Sequence, residues 1–313
     1  MARRRLLLLL KPLDVYPSHQ SDKLSRFTSP KMTQVINYLD NRRTVHSNAI
    51  NFCQNILKKK FVDWDTVYRS NLSQPIRDVD LVVTIGGDGT LLQASHFMDN
   101  SIPILGINSD PTKAEEVEEH SEDFDATRST GHLCAATIKN FEQMLDDILE
   151  NRAVPSEVAR MSINVNSKQL SIFPLNDVLI AHPCPATVSR FSFRIWREGD
   201  QCSPLLNSRS SGLRVSTAAG STAAMLSAGG FPMPILSRDL QYLVREPISP
   251  GANSSVHGVV KSNESMEIKW FSEEGLIYID GSHVVFSIQF GDMIELSPKA
   301  PSLNVFLPSH FLS

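Results

Sequence analysis

Cysteine is scarce in this chain: Cys53, Cys134, Cys184 and Cys202 are its only four, far apart and with no C-x-x-C pair. That spacing excludes a disulfide framework and a zinc knuckle, and it fits a reducing compartment. Long apolar runs are missing as well. Leu6 to Leu10 is five residues, against roughly 20 for a membrane span and roughly seven to fifteen for a secretory signal core. With no small-residue cleavage site behind it, the run reads as a buried first strand. An excess of one charge is also absent. Lys and Arg number 30, Asp and Glu 34, and the net charge is −4. This gives no nucleic-acid surface and no basic face for a membrane. The nine histidines form no H-x-x-x-H or H-E-x-x-H set. No G-K-[ST], G-x-G-x-x-G or G-x-S-x-G occurs, which excludes a Walker loop, the dinucleotide fingerprint and a serine hydrolase. The terminal SHFLS is not an S-K-L-type peroxisomal address. The cytosol is therefore the expected compartment and the peroxisome the alternative.

What is present suits a soluble globular chain of two domains, with 313 residues and 41 % apolar side chains. The first half alternates strand and helix signals. Strands are expected at 6–10, 81–85 and 102–108, and helices at 31–39, 47–60, 91–98 and 140–152, the last with Asn140 as N-cap. Such alternation implies a parallel, Rossmann-like sheet with helices on both faces, over residues 1–152. From 153 to 301 the pattern turns to short strands with period two. A turn falls at Asn166–Lys168, and one short helical stretch at Ala223–Ala228. That half is expected to be mainly antiparallel and sandwich-like, with the tail 302–313 returning to the first domain. Residues 109–129 are acidic and weakly apolar. They read as a solvated surface loop with one helical turn, or alternatively as a mobile lid or a metal-attracting flap.

Residues 80–96, DLVVTIGGDGTLLQASH, carry the chemistry. An apolar strand ends in three glycines around one aspartate, and a helix begins at once. Glycines let the backbone approach a bulky anion, and the amides at a helix N-terminus favour phosphate. Asp88 would repel that phosphate, so it must serve another partner, such as Mg²⁺ or a hydroxyl about to lose its proton. A phosphate cradle with one acid is the minimum for moving a phosphoryl group from a nucleotide to an alcohol.

The pentapeptide GGDGT resembles the signature of the NAD kinase superfamily, which includes lipid kinases and 6-phosphofructokinases. The serine- and glycine-rich RSSGLRVSTAAGSTAAMLSAGG at 209–230, LNDVLI at 175–180 and IYIDG at 277–281 resemble motifs of NAD kinases proper. With RRLLLLLKP, STGHLCAAT and LSRDLQYLVREPISPG, the chain is similar to the plant NADH kinase subfamily over nearly its whole length. The resemblance implies ATP-dependent phosphorylation of the adenosine-ribose 2′-hydroxyl of NADH, and less efficiently of NAD⁺. Another superfamily kinase acting on lipid or sugar, and a non-catalytic NAD(P) sensor, are the alternatives.

It further implies Asp88 as general base, with Gly86, Gly87, Gly89 and Thr90 cradling the ATP phosphates. Asn176, Asp177, Ser211, Thr217, Gly220, Ser221, Thr222, Ala223 and Ala224 would bind the dinucleotide. His132, Arg190 and Arg209 are further candidates. Mg²⁺ would enter with ATP and have no site fixed by protein alone. The family implies a homo-oligomer, taken as a homodimer, with small nucleotides as its ligands. Two positions depart from the pattern: Ser211 stands where many relatives have aspartate, and Ala224 where they often have tyrosine. A lost carboxylate beside the nicotinamide would favour the neutral NADH ring. Asp88→Asn is expected to leave stability unchanged.

Overall fold

In the computed structural model the described residues are 3–15, 30–197, 201–248 and 256–311, without the side chains of 30–32. The last two residues of SHFLS and the first two of the chain lie outside them. Contacts divide the chain into two compact units, Met1–Ser156 with Asn304–Ser313, and Glu157–Leu303.

The first unit is α/β. Its elements are β1 (Arg4–Leu10), α1 (Pro30–Leu57), β2 (Val62–Tyr68), β3 (Leu81–Gly86), α2 (Asp88–Ser95), β4 (Ile104–Asn108), α3 (Ala114–Glu119), β5 (Ala136–Thr137) and α4 (Phe141–Leu149). Strands β2, β1, β3 and β4 lie side by side in that order, all parallel. Beta-3 is buried at every residue, as a central strand covered on both faces must be.

Helix α1 is one continuous helix of 28 residues, where two helices were expected. Its buried face includes Ile36, Ala49, Ile50, Cys53, Ile56 and Leu57, but also Arg42 and His46. Those two polar residues interrupt the apolar period in mid-helix, and they are tolerated because the fold supplies partners for both. Strand β2 escaped the sequence reading for a related reason. Only Val62 of it is buried, so an edge strand shows little apolar signal. Asn140 does precede α4, but its Oδ1 accepts from the Thr137 amide rather than capping the helix.

The second unit carries β6 (Ser156–Val158) at its start, then β7 (Ser162–Val165), β8 (Lys168–Gln169), β9 (Asp177–Ala181), β10 (Ser189–Trp196), β11 (Leu206–Ser210), β12 (Gly212–Ser216), α5 (Ala224–Ser227), β13 (Leu240–Arg245), β14 (His257–Val260), β15 (Ser265–Trp270), β16 (Glu274–Ile279), β17 (Val284–Gln289) and β18 (Met293–Ser297); β19 (Leu303–Phe306) follows. Two antiparallel sheets form, ordered β11-β10-β15-β18-β7-β8 and β14-β13-β12-β9-β16-β17. One buried cluster draws on both, including Phe191, Phe193 and Trp270 from the first and Val178, Val215 and Ile277 from the second. The period-two strands thus close a sandwich. Asn166 and Ser167 have φ of 49° and 66°, the left-handed pair of a two-residue hairpin turn joining β7 to β8. Strand β19 runs parallel beside β4 in the first sheet.

Candidate active site

Two cavities, one in each unit, are lined by some of the residues that the sequence singles out; Asp88, His132 and Ser211 line neither of them. The first, of about 550 Å³, opens where β1, β3 and β4 end; Gly86, Gly87, Gly89 and Thr90 line it, with Lys11, Arg42, Arg69 and Arg128 as its cations. The carboxyl ends of parallel strands are where such sheets bind ligands. The glycines are required by close approach. A Cβ on Gly86 would lie 2.3 Å from Thr90 Oγ1, and one on Gly87 would lie 2.4 Å from Ser129 Oγ and 2.7 Å from its Cβ. At Gly89 the nearest atom is Arg69 Nη1 at 3.7 Å, so that position alone has room.

Asp88 opens α2 and turns its carboxylate to the 130–134 turn. Oδ2 accepts from the His132 amide at 2.9 Å and Oδ1 from the Leu133 amide at 2.8 Å. Thr130 Oγ1 and Cys134 Sγ approach to 3.5 Å and 3.7 Å. The acid is thereby held in one orientation, with one backbone amide and one longer side-chain donor on each oxygen. His132 is brought to the site by its backbone; its ring packs edge-on against Phe311 at 4.7 Å. Burial lowers the His132 imidazole from its ordinary value, against the pull of the Asp88 charge. Burial likewise drives the Cys134 thiol far up, reinforced by Asp88, so it stays protonated.

His46 stitches the strand ends together. Its Nε2 meets the Lys11 carbonyl at 2.9 Å and its Nδ1 meets Ser109 Oγ at 2.7 Å, while that hydroxyl also lies 3.0 Å from the Gly86 carbonyl. Burial depresses the His46 pKa.

The acidic segment is the solvated loop expected only in part: α3 is its one helical turn and Glu115, Glu118, Glu119, Glu122 and Asp123 are exposed, but Asp110 and Glu116 are drawn inward. Asp110 is buried, and it pairs with Arg42 at 3.2 Å and faces Arg128 Nε at 3.6 Å. Glu116 on α3 pairs with Arg42 at 3.2 Å and Arg128 at 2.6 Å. Tyr38 donates to the Ala126 carbonyl at 2.9 Å and accepts from Arg128 at 3.0 Å. Burial opposes the Glu116 charge, but hydrogen bonds from Lys113 and Arg128 and the Arg42 charge hold its pKa at about 2. Asp110 is shifted upward by burial, against the three cations around it. The segment is thus folded onto α1 and forms a wall of the cavity. The acidic run along 109–129 gave no hint of this, because Arg42 sits on a helix 68 positions before Asp110.

The second cavity, of about 460 Å³, is lined by Asn176, Asp177, Ala223 and Ala224, and by Arg214, Tyr278 and Asp280, which the sequence reading quoted within motifs but did not name as site residues. Asp280 accepts from the amides of Leu175, Asn176 and Asp177 at 2.9, 2.7 and 3.0 Å, fixing the Asn-Asp turn. Arg214 pairs with Asp177; burial lowers the arginine's pKa, with Arg245 adding to the shift. Thr217 and Ser221 are fully buried and spend their hydroxyls on the backbone carbonyls of Leu175 and Ala218. These bonds shape the loop beside the Asn-Asp turn. Gly220 fits because a Cβ there would strike the Asn176 carbonyl at 2.1 Å. Thr222 stands next to it, half-buried, and lines neither cavity.

Arg190 and Arg209 face each other across β10 and β11. Both are exposed and away from either cavity, so the pocket arginine of this unit is Arg214. Ser211 donates to Glu246 Oε2 at 2.5 Å. A carboxylate therefore stands against Ser211, supplied from the end of β13.

An α/β unit with a glycine–aspartate turn, followed by a β-sandwich with an Asn-Asp turn beside an arginine, defines a phosphotransferase-type architecture. The ATP-NAD kinase N-terminal domain family matches residues 1–111 and the ATP-NAD kinase C-terminal domain family matches residues 145–302; the chain belongs to the NAD kinase family. It is 60% identical to an NADH kinase of Arabidopsis thaliana, covering 100% of this chain and 98% of that one. It is 53% identical to a probable NADH kinase of Oryza sativa subsp. japonica, over 100% and 99%. In fold it is similar to the crystal structure of an NAD kinase from Archaeoglobus fulgidus in complex with ATP, with TM-score 0.65 at 19% identity over 98% and 95% of the two chains. The yeast NADH kinase complexed with NADH gives TM-score 0.65 at 15% identity over 96% and 82%.

Proposed function

We propose that the protein transfers the γ-phosphoryl group of ATP to the adenosine-ribose 2′-hydroxyl of NADH, giving NADPH, and acts less efficiently on NAD⁺. The observation that carries this is the 60% identity to a plant NADH kinase along the whole chain. The glycine turn supports it from the side of chemistry. The 2′-oxygen attacks the γ-phosphorus, the bond to the β–γ bridging oxygen breaks, and ADP leaves. The hydroxyl proton passes to Asp88, whose carboxylate is aimed by the His132 and Leu133 amides. Backbone at Gly87 and Gly89, with Lys11 and Arg69, would hold the phosphates, since these groups share one cavity. The Asn176–Asp177 turn and Arg214 would hold the dinucleotide.

Mg²⁺ would arrive on the ATP phosphates and neutralise part of their charge. Among the described residues no three His, Cys, Asp or Glu side chains cluster in a way that could hold a metal. A homodimer in the cytosol, with the peroxisome as the alternative, completes the reading. Among the described residues no helix is long and apolar enough to cross a membrane. Light scattering checks the dimer, and a fluorescent fusion with a free C-terminus checks the compartment. The deciding experiment is steady-state kinetics with ATP and either NADH or NAD⁺. A higher kcat/KM for NADH is expected. Equal or better use of NAD⁺ removes the NADH preference, and no turnover with either removes the kinase.

A further inference from the structure

Arg42 and Arg128 stand side by side in the wall of the first cavity, with side chains only 5% and 8% exposed. Between them, Arg42 Nε and Arg128 Nε and Nη2 are buried with no hydrogen-bond acceptor, although Arg128 Nε faces the Asp110 carboxylate at 3.6 Å. Arg128 Nη1 is engaged by Glu116 and Tyr38, which leaves the other arm of the fork idle. Buried guanidinium donors without acceptors are rare, because the desolvation cost is not recovered. A fold that keeps one beside a cavity is holding it for an acceptor that arrives from outside.

The cavity says what that acceptor is. Its lining carries four cations, Lys11, Arg42, Arg69 and Arg128, against two carboxylates, Asp110 and Asp125. The glycines of the turn line the same space. An oxyanion with several oxygens satisfies such a wall, and a guanidinium fork is the group that grips one at two points.

We propose that Arg128 is a ligand for the donor's phosphates: Nη1 stays on Glu116 and Tyr38 while Nη2 turns to a phosphate oxygen of ATP. This rests on the reading of ATP as the phosphoryl donor. It goes beyond the family match, since Arg128 falls in the stretch between the two matched ranges, 1–111 and 145–302. The acidic segment thus exists to carry a buried arginine to the glycine turn, and its carboxylates hold that arginine in place.

The test compares Arg128→Gln and Arg128→Lys in the full chain. It reads KM for ATP, KM for NADH, melting temperature, and binding of inorganic tripolyphosphate by calorimetry. The lysine keeps a cation on Glu116 but lacks the second arm. For Arg128→Gln, KM for ATP should rise about 10–100-fold and tripolyphosphate binding weaken alike, with KM for NADH moving less than about twofold. Arg128→Lys should restore the melting temperature and still lose about tenfold in KM for ATP. A wild-type KM for ATP in Arg128→Lys overturns the proposal. So does a parallel rise of both KM values with a lower melting temperature in both variants, the mark of a purely structural arginine. If the wild type shows no kinase activity, tripolyphosphate binding still decides: loss in Arg128→Gln upholds Arg128 as a polyphosphate ligand although the donor assignment fails.

Discussion

Asp88 does two jobs that the linear sequence presents as one. Its carboxylate is the proton acceptor of the proposed reaction, and it also ties the start of α2 to the 130–134 turn through two amides. Asp88→Asn should lower kcat by about 10²–10⁴. It should also lower stability by about 1–3 kcal/mol, because the new amide nitrogen faces one of those N–H donors. A thermal melt alongside the kinetics separates the two effects, and a near-normal kcat means that the acid only holds the turn. This replaces the expectation of unchanged stability. Ser211 is the second case. Since Glu246 already accepts from its hydroxyl, Ser211→Asp places two carboxylates in contact and should lower the melting temperature. Ser211→Asp with Glu246→Gln should restore it. If the double variant keeps the NADH to NAD⁺ ratio of kcat/KM, the charge at this position does not set cofactor choice.

Helix α1 shows how an element can carry function on its buried face. Arg42 and His46 are one turn apart, and each binds a different piece of the site: the acidic segment and the strand ends. Removal of residues 110–126 should destabilise the fold, because Arg42 would be left buried without its acid partners. Even Asp110→Asn should cost about 3 kcal/mol, as losing one partner of a buried ion pair does. Chemical denaturation measures this directly, and a loss below about 0.5 kcal/mol would show that the pair is dispensable.

The same helix makes stability depend on pH. Burial holds the His46 imidazole below its ordinary 6.5, against the Lys11 carbonyl bond. The unfolded chain then binds a proton that the folded chain refuses. Its contribution is complete above about 6.5 and is lost as pH falls below that value toward the depressed one. Glu116 acts lower down, contributing above its ordinary 4.5 and losing that contribution as pH falls toward about 2. Melting temperature should therefore fall from pH 7 to pH 5 in the wild type and fall less in His46→Gln. Parallel curves for the two would exclude His46 as a source.

At the scale of the whole molecule, the chain ends inside the sheet where it began. Leu303, Val305 and Phe306 are buried, β19 pairs with β4, and Phe311 touches the ring of His132. Truncation after residue 302 should destabilise the first unit far more than its few residues suggest, since β4 loses a neighbour in mid-sheet. Limited proteolysis checks it: residues 3–156 should become the cleaved part, and uniform resistance would show that β19 is dispensable.

The sequence by itself determined the alternation of strand and helix, the sandwich of period-two strands, the glycine–aspartate turn and the family. Each of these is written in neighbouring residues, as a period, a turn chemistry or a motif, and local patterns survive any packing. Tertiary structure alone decided which polar groups meet. It placed Arg42 and His46 on a buried face, turned Thr217 and Ser221 inward, set Glu246 against Ser211 and brought Arg214 to Asp177. It also folded an acidic segment back onto a helix with which it forms buried ion pairs. Partners separated by 35 to 68 positions leave no periodic trace along the chain. Only burial, which makes an unpaired charge costly, selects the arrangement that joins them.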